Sequence, residues 1–195
     1  AMASGVDLIN TIALGNKATA IAEYYTANVI GSTVSGVAAT WTDQPGFPVV
    51  QIRAECRGGK TRVTLAQSRF TTTTATLSSA TWKIPVRLSR AGDVRTVLFD
   101  SPRTTLDLAG CSGEPLLANA GGGGFYRVEY GSAQWKALAS RFARLAPADR
   151  VTFLSDSFAL AQAGRLPMAS YFTLLAAIPQ VDGADRATLF SLAAT

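Results

Sequence analysis

The hydrophobic period changes twice along this chain, and that double change restricts its fold more than any single motif. Apolar and polar residues alternate in Pro48–Glu55, Arg62–Phe70, Trp82–Leu88, Val94–Phe99 and Phe125–Tyr130. Successive side chains of a strand point to opposite faces, so such runs predict half-buried strands. Thr104–Leu108 and Glu114–Ala118 are weaker strand candidates. Turn-forming stretches, Arg57–Lys60, Ala91–Asp93, Asp100–Arg103 and Asn119–Gly124, separate them. About seven short strands at this spacing predict an antiparallel sandwich or barrel. Pro85 predicts an edge or a bulge, because it cannot donate to a ladder. The polar run Thr71–Ala80 predicts an exposed loop.

Past Gly131 the period lengthens to that of a helix. Ser132 suits an N-cap, and Trp135, Leu138, Phe142 and Leu145 follow as one apolar stripe. Pro147 suits the first turn of a second helix, with Asp149 at its positive end and Gly164 past its stop. Val151, Leu154 and Phe158 are its expected buried stripe. Two further helices fit Met168–Ile178 and Asp185–Ala194. The last runs into the terminus as though cut from a longer array, which predicts bare apolar surface at Leu189, Phe190 and Leu192.

Before the strands, Ile21, Tyr24, Tyr25 and Val29 lie close to helical spacing. Ser32 or Ser35 suits the cap of a short helix leading to Trp41. Short helices cannot bury a face alone, so this segment needs a partner. The expected fold class is therefore multidomain β + α: short N-terminal helices, an antiparallel β-sandwich, then a helical, repeat-like segment. The expected divisions are 1–45, 46–131 and 132–195. The stretch WTDQPGFPVV at Trp41–Val50 sits at the first change of period and reads as a structural corner. Trp41, Phe47, Phe70 and Trp82 are expected to be largely buried, with Trp135 in the seam between sandwich and helices.

Composition narrows the functional classes. With 48% hydrophobic and 16% charged residues the chain can build a core and is not of the disordered class. The net charge of +5 comes from arginines scattered singly, which does not suit nucleic acid. No apolar run approaches the ~20 residues of a spanning helix. The start, AMASGVDLIN, lacks a secretion signal's basic region and apolar core, and Ala-Met reads as a cloning scar. On these grounds a cytoplasmic location is favoured.

Histidine is absent. That excludes a His general base, a Ser-His triad and His-ligated metal on this chain. Cys56 and Cys111 are too few for a thiolate zinc site. They could form one disulfide, but buried free thiols are the expected state. Asp149, Asp156, Glu114 and Glu129 show no spacing that pairs two carboxylates, and are read as exposed helix and turn residues. Gly121–Gly124 lacks the Lys-Ser/Thr of a phosphate loop and is read as a flexible hairpin connection. Arg69 and Arg127 could each bind a carboxylate, but ion pairs at a buried edge, or an arm over an aromatic ring, are the expected roles. No catalytic, cofactor-binding or metal-binding residue is assigned, and no cofactor is expected in this chain.

Taken in order, four landmarks resemble one family. They are Trp41-Thr-x-Gln44-x-Gly46-Phe47-Pro48, Gln67-x-Arg69-Phe70, Trp82-x-Ile84-Pro85-Val86, and Asn119 followed by Gly124-Phe125-Tyr126-Arg127-Val128-x-Tyr130. Together they look like the M1 zinc aminopeptidases (gluzincins), from the end of the catalytic domain through a β-sandwich into a helical domain. Asp149-Arg150 and Leu154-x-Asp156-x-Phe158, ending at Ala163-Gly164, resemble the family's first helical-domain helices. The family's H-E-x-x-H zinc motif and its G-x-M-E-N motif have no counterpart here. The resemblance therefore implies a non-catalytic scaffold fragment, no enzyme by itself. It implies a parent that holds zinc and removes N-terminal residues from peptides, with the parent's own catalytic domain as this segment's partner. A free-standing sandwich that binds or adheres is the alternative; it would favour exposed strand aromatics or a calcium-binding Asp cluster.

Overall fold

Each strand pairing places one apolar set on one face. The computed structural model describes residues 34–73, 79–111, 113–181 and 183–193. A short helix α1 (Val34–Thr42) leads into strands β1 (Pro48–Arg57), β2 (Lys60–Arg69), β3 (Ile84–Arg90), β4 (Asp93–Phe99), β5 (Arg103–Ala109), β6 (Leu117–Ala118) and β7 (Arg127–Tyr130). One sheet has the order β5-β2-β1-β7 and the other β4-β3-β6. In the first, Ile52 opposes Leu65 and Val63 opposes Leu106, so Val50, Ile52, Val63 and Leu65 share one face. In the second, Ile84 opposes Phe99 and Val86 opposes Val97. These inner faces supply the sandwich core, and burying each such aliphatic side chain is worth about 1.5–3 kcal/mol.

The sandwich is not wholly antiparallel. β7 runs parallel to β1, with Val50 opposite Val128 and Ile52 opposite Tyr130. The long excursion through the second sheet brings the chain back in the same direction, a choice that period 2 cannot reveal. Pro85 lies where β3 has only β4 beside it, since β6 pairs no further than Leu88 and Ser89. It is therefore at a local edge, as expected. Of Glu114–Ala118 only Leu117 and Ala118 form a strand.

The corner at Trp41–Val50 is structural. Trp41 Nε1 donates to the Lys83 carbonyl at 3.1 Å, and Gln44 Nε2 donates to the Thr81 carbonyl at 3.1 Å. The Lys83 N–H is held by Thr40 Oγ1 at 3.1 Å. Gly46 takes φ of 86°, which a side chain would strain. Trp82 is fully buried; Trp41, Phe47 and Phe70 are partly buried, less enclosed than Trp82. They form a cluster: Phe47 stacks on Phe70 at 5.3 Å and meets Phe125 at 5.3 Å, and Trp41 reaches Trp82 at 6.5 Å. A corner has sheet on one side only, so its aromatics cannot be enclosed as strand residues are.

The helices are α2 (Ser132–Ala139), α3 (Pro147–Gln162), α4 (Met168–Ala177) and α5 (Ala184–Ala193), with 3₁₀ turns at Phe142–Arg144 and Ile178–Gln180. Gly131, not Ser132, is the N-cap of α2; its N–H is held by the Ile52 carbonyl at 3.1 Å, so the cap also ends the β1–β7 pairing. α3 stops as its sequence dictates. Gly164 has φ of 69°, its N–H reaches the Ala161 carbonyl, and the Arg165 N–H reaches Leu160 at 2.8 Å, a Schellman motif.

α3 is buried on two sides. Leu154 belongs to the core and Phe158 packs on Tyr171 of α4 at 5.0 Å, but Phe153, Asp156 and Ser157 are buried too. Phe153 meets Tyr130 of β7 edge-on at 5.9 Å and Trp135 of α2 at 5.7 Å. One buried cluster thus runs from Val50 to Leu189. Leu189 is 1% exposed, against expectation, whereas Phe190 is 49% exposed. The Leu192 side chain and the proposed helix around Ile21–Val29 lie outside the described residues.

Cys56 and Cys111 form a disulfide, not the free thiols expected. The register explains it. Cys56 opposes Thr61 on β2, Thr61 opposes Leu108 on β5, and Lys60 bridges to Gly110, so Cys111 returns over the end of the hairpin. The Cα atoms are 5.5 Å apart, within bonding range although 55 residues separate them in sequence.

Candidate functional site

Several buried polar side chains meet at the seam where α3 joins the free edge of β7. β7 has β1 on one side only, so its outer backbone groups need partners. Asp156 supplies one: its Oδ2 accepts the Val128 N–H at 2.9 Å. Its Oδ1 accepts from Arg127 at 3.0 Å, and the same guanidinium donates to Ser155 Oγ at 2.7 Å. Asp156 is 3% exposed, and burial pushes its carboxyl up to about 6, against the pull of Arg127 and the Val128 N–H. Next along β7, Glu129 takes Arg165 at 2.6 Å and Gln51 at 3.5 Å. The Tyr130 hydroxyl donates to the Ala118 carbonyl at 3.2 Å and accepts the Ala118 N–H at 2.9 Å. Burial raises its pKa far above the ordinary phenol value.

The glycine-rich loop joins the same seam, and it is not the free connection expected. Asn119 closes it, donating to the Gly124 carbonyl at 3.0 Å and accepting the Gly124 N–H at 2.8 Å. The Gly121 N–H donates to Asp149 Oδ1 in the first turn of α3 at 2.6 Å. A Cβ on Gly122 would stand 2.6 Å from Thr152 Oγ1, and one on Gly124 would stand 2.2 Å from the Tyr126 ring. The two glycines permit close approach: Gly122 lets the loop lie against α3, and Gly124 lets it close on Tyr126 and Asn119. Its contact with an anion is the single bond from the Gly121 N–H to the protein's own Asp149.

Beside this loop a cavity of about 590 Å³ opens between sandwich and helices, walled by Phe47, Phe125 and Tyr126 on one side and Ala148, Val151 and Leu189 on the other. The charges at its edge are paired, Arg127 with Asp156 and Arg150 with Asp185 at 2.8 Å.

The four candidate carboxylates are placed as follows. Asp149 and Asp156 share one face of α3, two turns apart, and both border a small gap beside Tyr130. Each has its own donors, so they do not form an acid–base pair. Glu129 pairs with Arg165, and Glu114 pairs with Arg141. Arg127 is an edge ion pair, one of the two roles expected for it. Arg69 lies over the Trp82 ring at 5.8 Å and donates to the Pro45 carbonyl at 2.6 Å. Gln67 escaped the reading of individual residues. Its amide donates to the Trp82 and Ser101 carbonyls at 2.9 and 3.0 Å and accepts the Trp82 N–H at 2.8 Å. Its sequence signals were a polar residue on the inward phase of β2 and its place in the Gln67-x-Arg69-Phe70 landmark. Among the described residues no group of three or more His, Cys, Asp or Glu side chains could hold a metal.

These contacts tie together the residues that carry the family resemblance, and comparison with known proteins agrees. The profile of the ERAP1-like C-terminal domain matches residues 115–183, which include the loop, β7, α2 and α3. Glutamyl aminopeptidase of Mus musculus is 35% identical over 138 residues, 67% of this chain and 14% of that protein. The chain belongs to the M1 aminopeptidase family. Two other M1 relatives extend the match: the puromycin-sensitive aminopeptidase of Caenorhabditis elegans is 28% identical over 160 residues, 78% of this chain and 17% of that protein. Aminopeptidase N of Plutella xylostella is 30% identical over 147 residues, 69% of this chain and 15% of that protein. The chain thus spans 14 to 17% of the length of these M1 relatives.

The zinc that M1 membership implies does not fit the residues present. Histidine is absent from the sequence, and both cysteines are consumed in the disulfide. No helix among the described residues is long and apolar enough to cross a membrane.

Proposed function

We propose that this chain is a non-catalytic bracing segment of a zinc-dependent M1 aminopeptidase, which removes N-terminal residues from peptides. The observation that carries the reading is the seam itself. Asp156 from the helices caps the edge of the sandwich through Val128 and Arg127, and the core continues through Tyr130, Phe153 and Trp135. Two elements joined by buried polar bonds and a common core move as one body, which is what a spacer between a catalytic domain and a helical domain requires. On this reading the segment divides as residues 1–45, 46–131 and 132–195, its partner is the parent's own catalytic domain, and neither substrate nor zinc touches it. Relatives named as glutamyl aminopeptidase and aminopeptidase N support the parent's activity.

The test compares the chain with the longer polypeptide that contains it. The chain alone should hydrolyse no aminoacyl anilide above blank and bind no stoichiometric zinc, whereas the longer polypeptide should do both. Chelator-sensitive hydrolysis by the chain alone would overturn the proposal.

A further inference from the structure

The end of the β1–β2 hairpin is built differently from the rest of the sandwich. β7 reaches only Val49–Ile52, so the hairpin projects beyond it. On the inward phase the apolar residues stop at Ala54 and Val63. Beyond them stand Cys56, Thr61 and, from the opposite sheet, Arg90. The Arg90 guanidinium donates to Thr61 Oγ1 and to the Ala109 carbonyl, and Thr61 Oγ1 donates to the Gly110 carbonyl at 2.7 Å. This end is therefore held by polar bonds and one covalent bond, with little apolar burial. The disulfide steps across β2 to join β1 to the segment after β5, the two strands that flank β2 in the sheet. Cys56 and Cys111 are both exposed, so a small dithiol can reach them.

We infer that the Cys56–Cys111 bond is a staple that replaces core packing at this end of the sandwich, and that the protein containing it works in an oxidising compartment. Exposed disulfides do not persist where thioredoxin and glutathione keep thiols reduced. Against a dithiol reductant the exchange is complete in two steps. A reagent thiolate attacks one cysteine sulfur, and the other leaves as a thiolate and takes a proton. The second reagent thiol then attacks its own mixed disulfide. The reagent becomes a cyclic disulfide, and two electrons and two protons pass to Cys56 and Cys111. This inference departs from the cytoplasmic location favoured by the reading of the residues alone, and it does not rest on the peptidase assignment.

Two measurements test it. In cells that make the protein natively, thiols are trapped with iodoacetamide before lysis. The expected result is no alkylation of either cysteine until dithiothreitol is added, then alkylation of both. With the purified chain, dithiothreitol should lower the thermal unfolding midpoint by roughly 10 °C, from the loop-closure entropy of the 55-residue separation and the usual midpoint response of a domain this size. The C56S/C111S double variant should melt at the lowered temperature and ignore the reductant. Both cysteines alkylated in cells without reduction, or an unchanged midpoint on reduction, would overturn the inference.

Discussion

The carboxylate of Asp156, on α3, accepts the backbone N–H of Val128, on β7, at 2.9 Å. A helix side chain thereby takes the place of the neighbouring strand that β7 lacks. The same carboxylate holds Arg127 in place, so one buried residue fixes both the edge of the sheet and the docking of the helices. Removing it should be expensive. Asp156→Ala leaves the Val128 N–H without its acceptor and the Arg127 guanidinium without its carboxylate, holding only to Ser155 Oγ, and breaking a buried pair costs on the order of 3 kcal/mol or more. Arg127 is partly open to water, which places the loss near the low end. Urea unfolding gives the number; a loss under about 0.5 kcal/mol would show that the seam does not depend on this contact.

The pH dependence of the same residue has an unusual direction. The Asp156 carboxyl stands at about 6 in the fold against 3.8 in the unfolded chain. The folded state therefore holds the proton more tightly, and the cost of ionising Asp156 is fully present above about pH 6. That cost fades as the pH falls and is gone below the unfolded value. Relative to Asp156→Asn, in which other carboxylates cancel, the wild type should gain about 2–3 kcal/mol between pH 7 and pH 4. A difference that stays flat, or shrinks on acidification, would show that Asp156 is stabilised as its anion.

Close packing of the glycine-rich loop gives a third expectation. Gly124→Ala sets a methyl group against the Tyr126 ring and Asn119 Oδ1, at 2.2 and 2.8 Å before relaxation. Overpacking of this kind costs about 1–3 kcal/mol. Gly113→Ala meets nothing within 4 Å and is the control, expected to change stability by less than about 0.5 kcal/mol. Equal midpoints for the two variants would contradict a loop closed tightly around Gly124 by Tyr126 and Asn119.

Trp135 tests the seam from the helical side. Its ring lies against Phe153, and its Nε1 donates to Ser157 Oγ at 3.2 Å. Trp135→Ala should cost roughly 3–5 kcal/mol through lost burial and the cavity left behind. Trp135→Phe keeps part of the packing but strands the Ser157 hydroxyl, so it should fall between. Calorimetric midpoints in that order, wild type above Phe above Ala, are the expected result.

Much of the site was legible in residues whose role is local. Pro147 and Gly164 bracket α3 because one needs no N–H at a helix start and the other tolerates positive φ at a helix stop. Arg69 and Arg127 allowed only a few uses for a long cation beside aromatics and strand edges, and the fold chose among them. The stripe Val151, Leu154, Phe158 was read from period alone, but it describes one side of α3. The other side, Phe153, Asp156 and Ser157, is apolar and polar by turns, and no periodicity marks it as buried.

The sequence by itself determined the succession of elements and the change from sheet to helix at Gly131, because each is written in short-range spacing of apolar, glycine and proline residues; the M1 kinship rested on the resemblance of its landmark motifs. Only the tertiary structure decided that β7 runs parallel to β1, that Gln67 joins three backbone groups from two loops, and that Cys56 meets Cys111. Those outcomes depend on which distant segments the sheets bring within a few ångströms. Strand register and chain return fix that, and neither leaves a periodic trace in the residues it brings together.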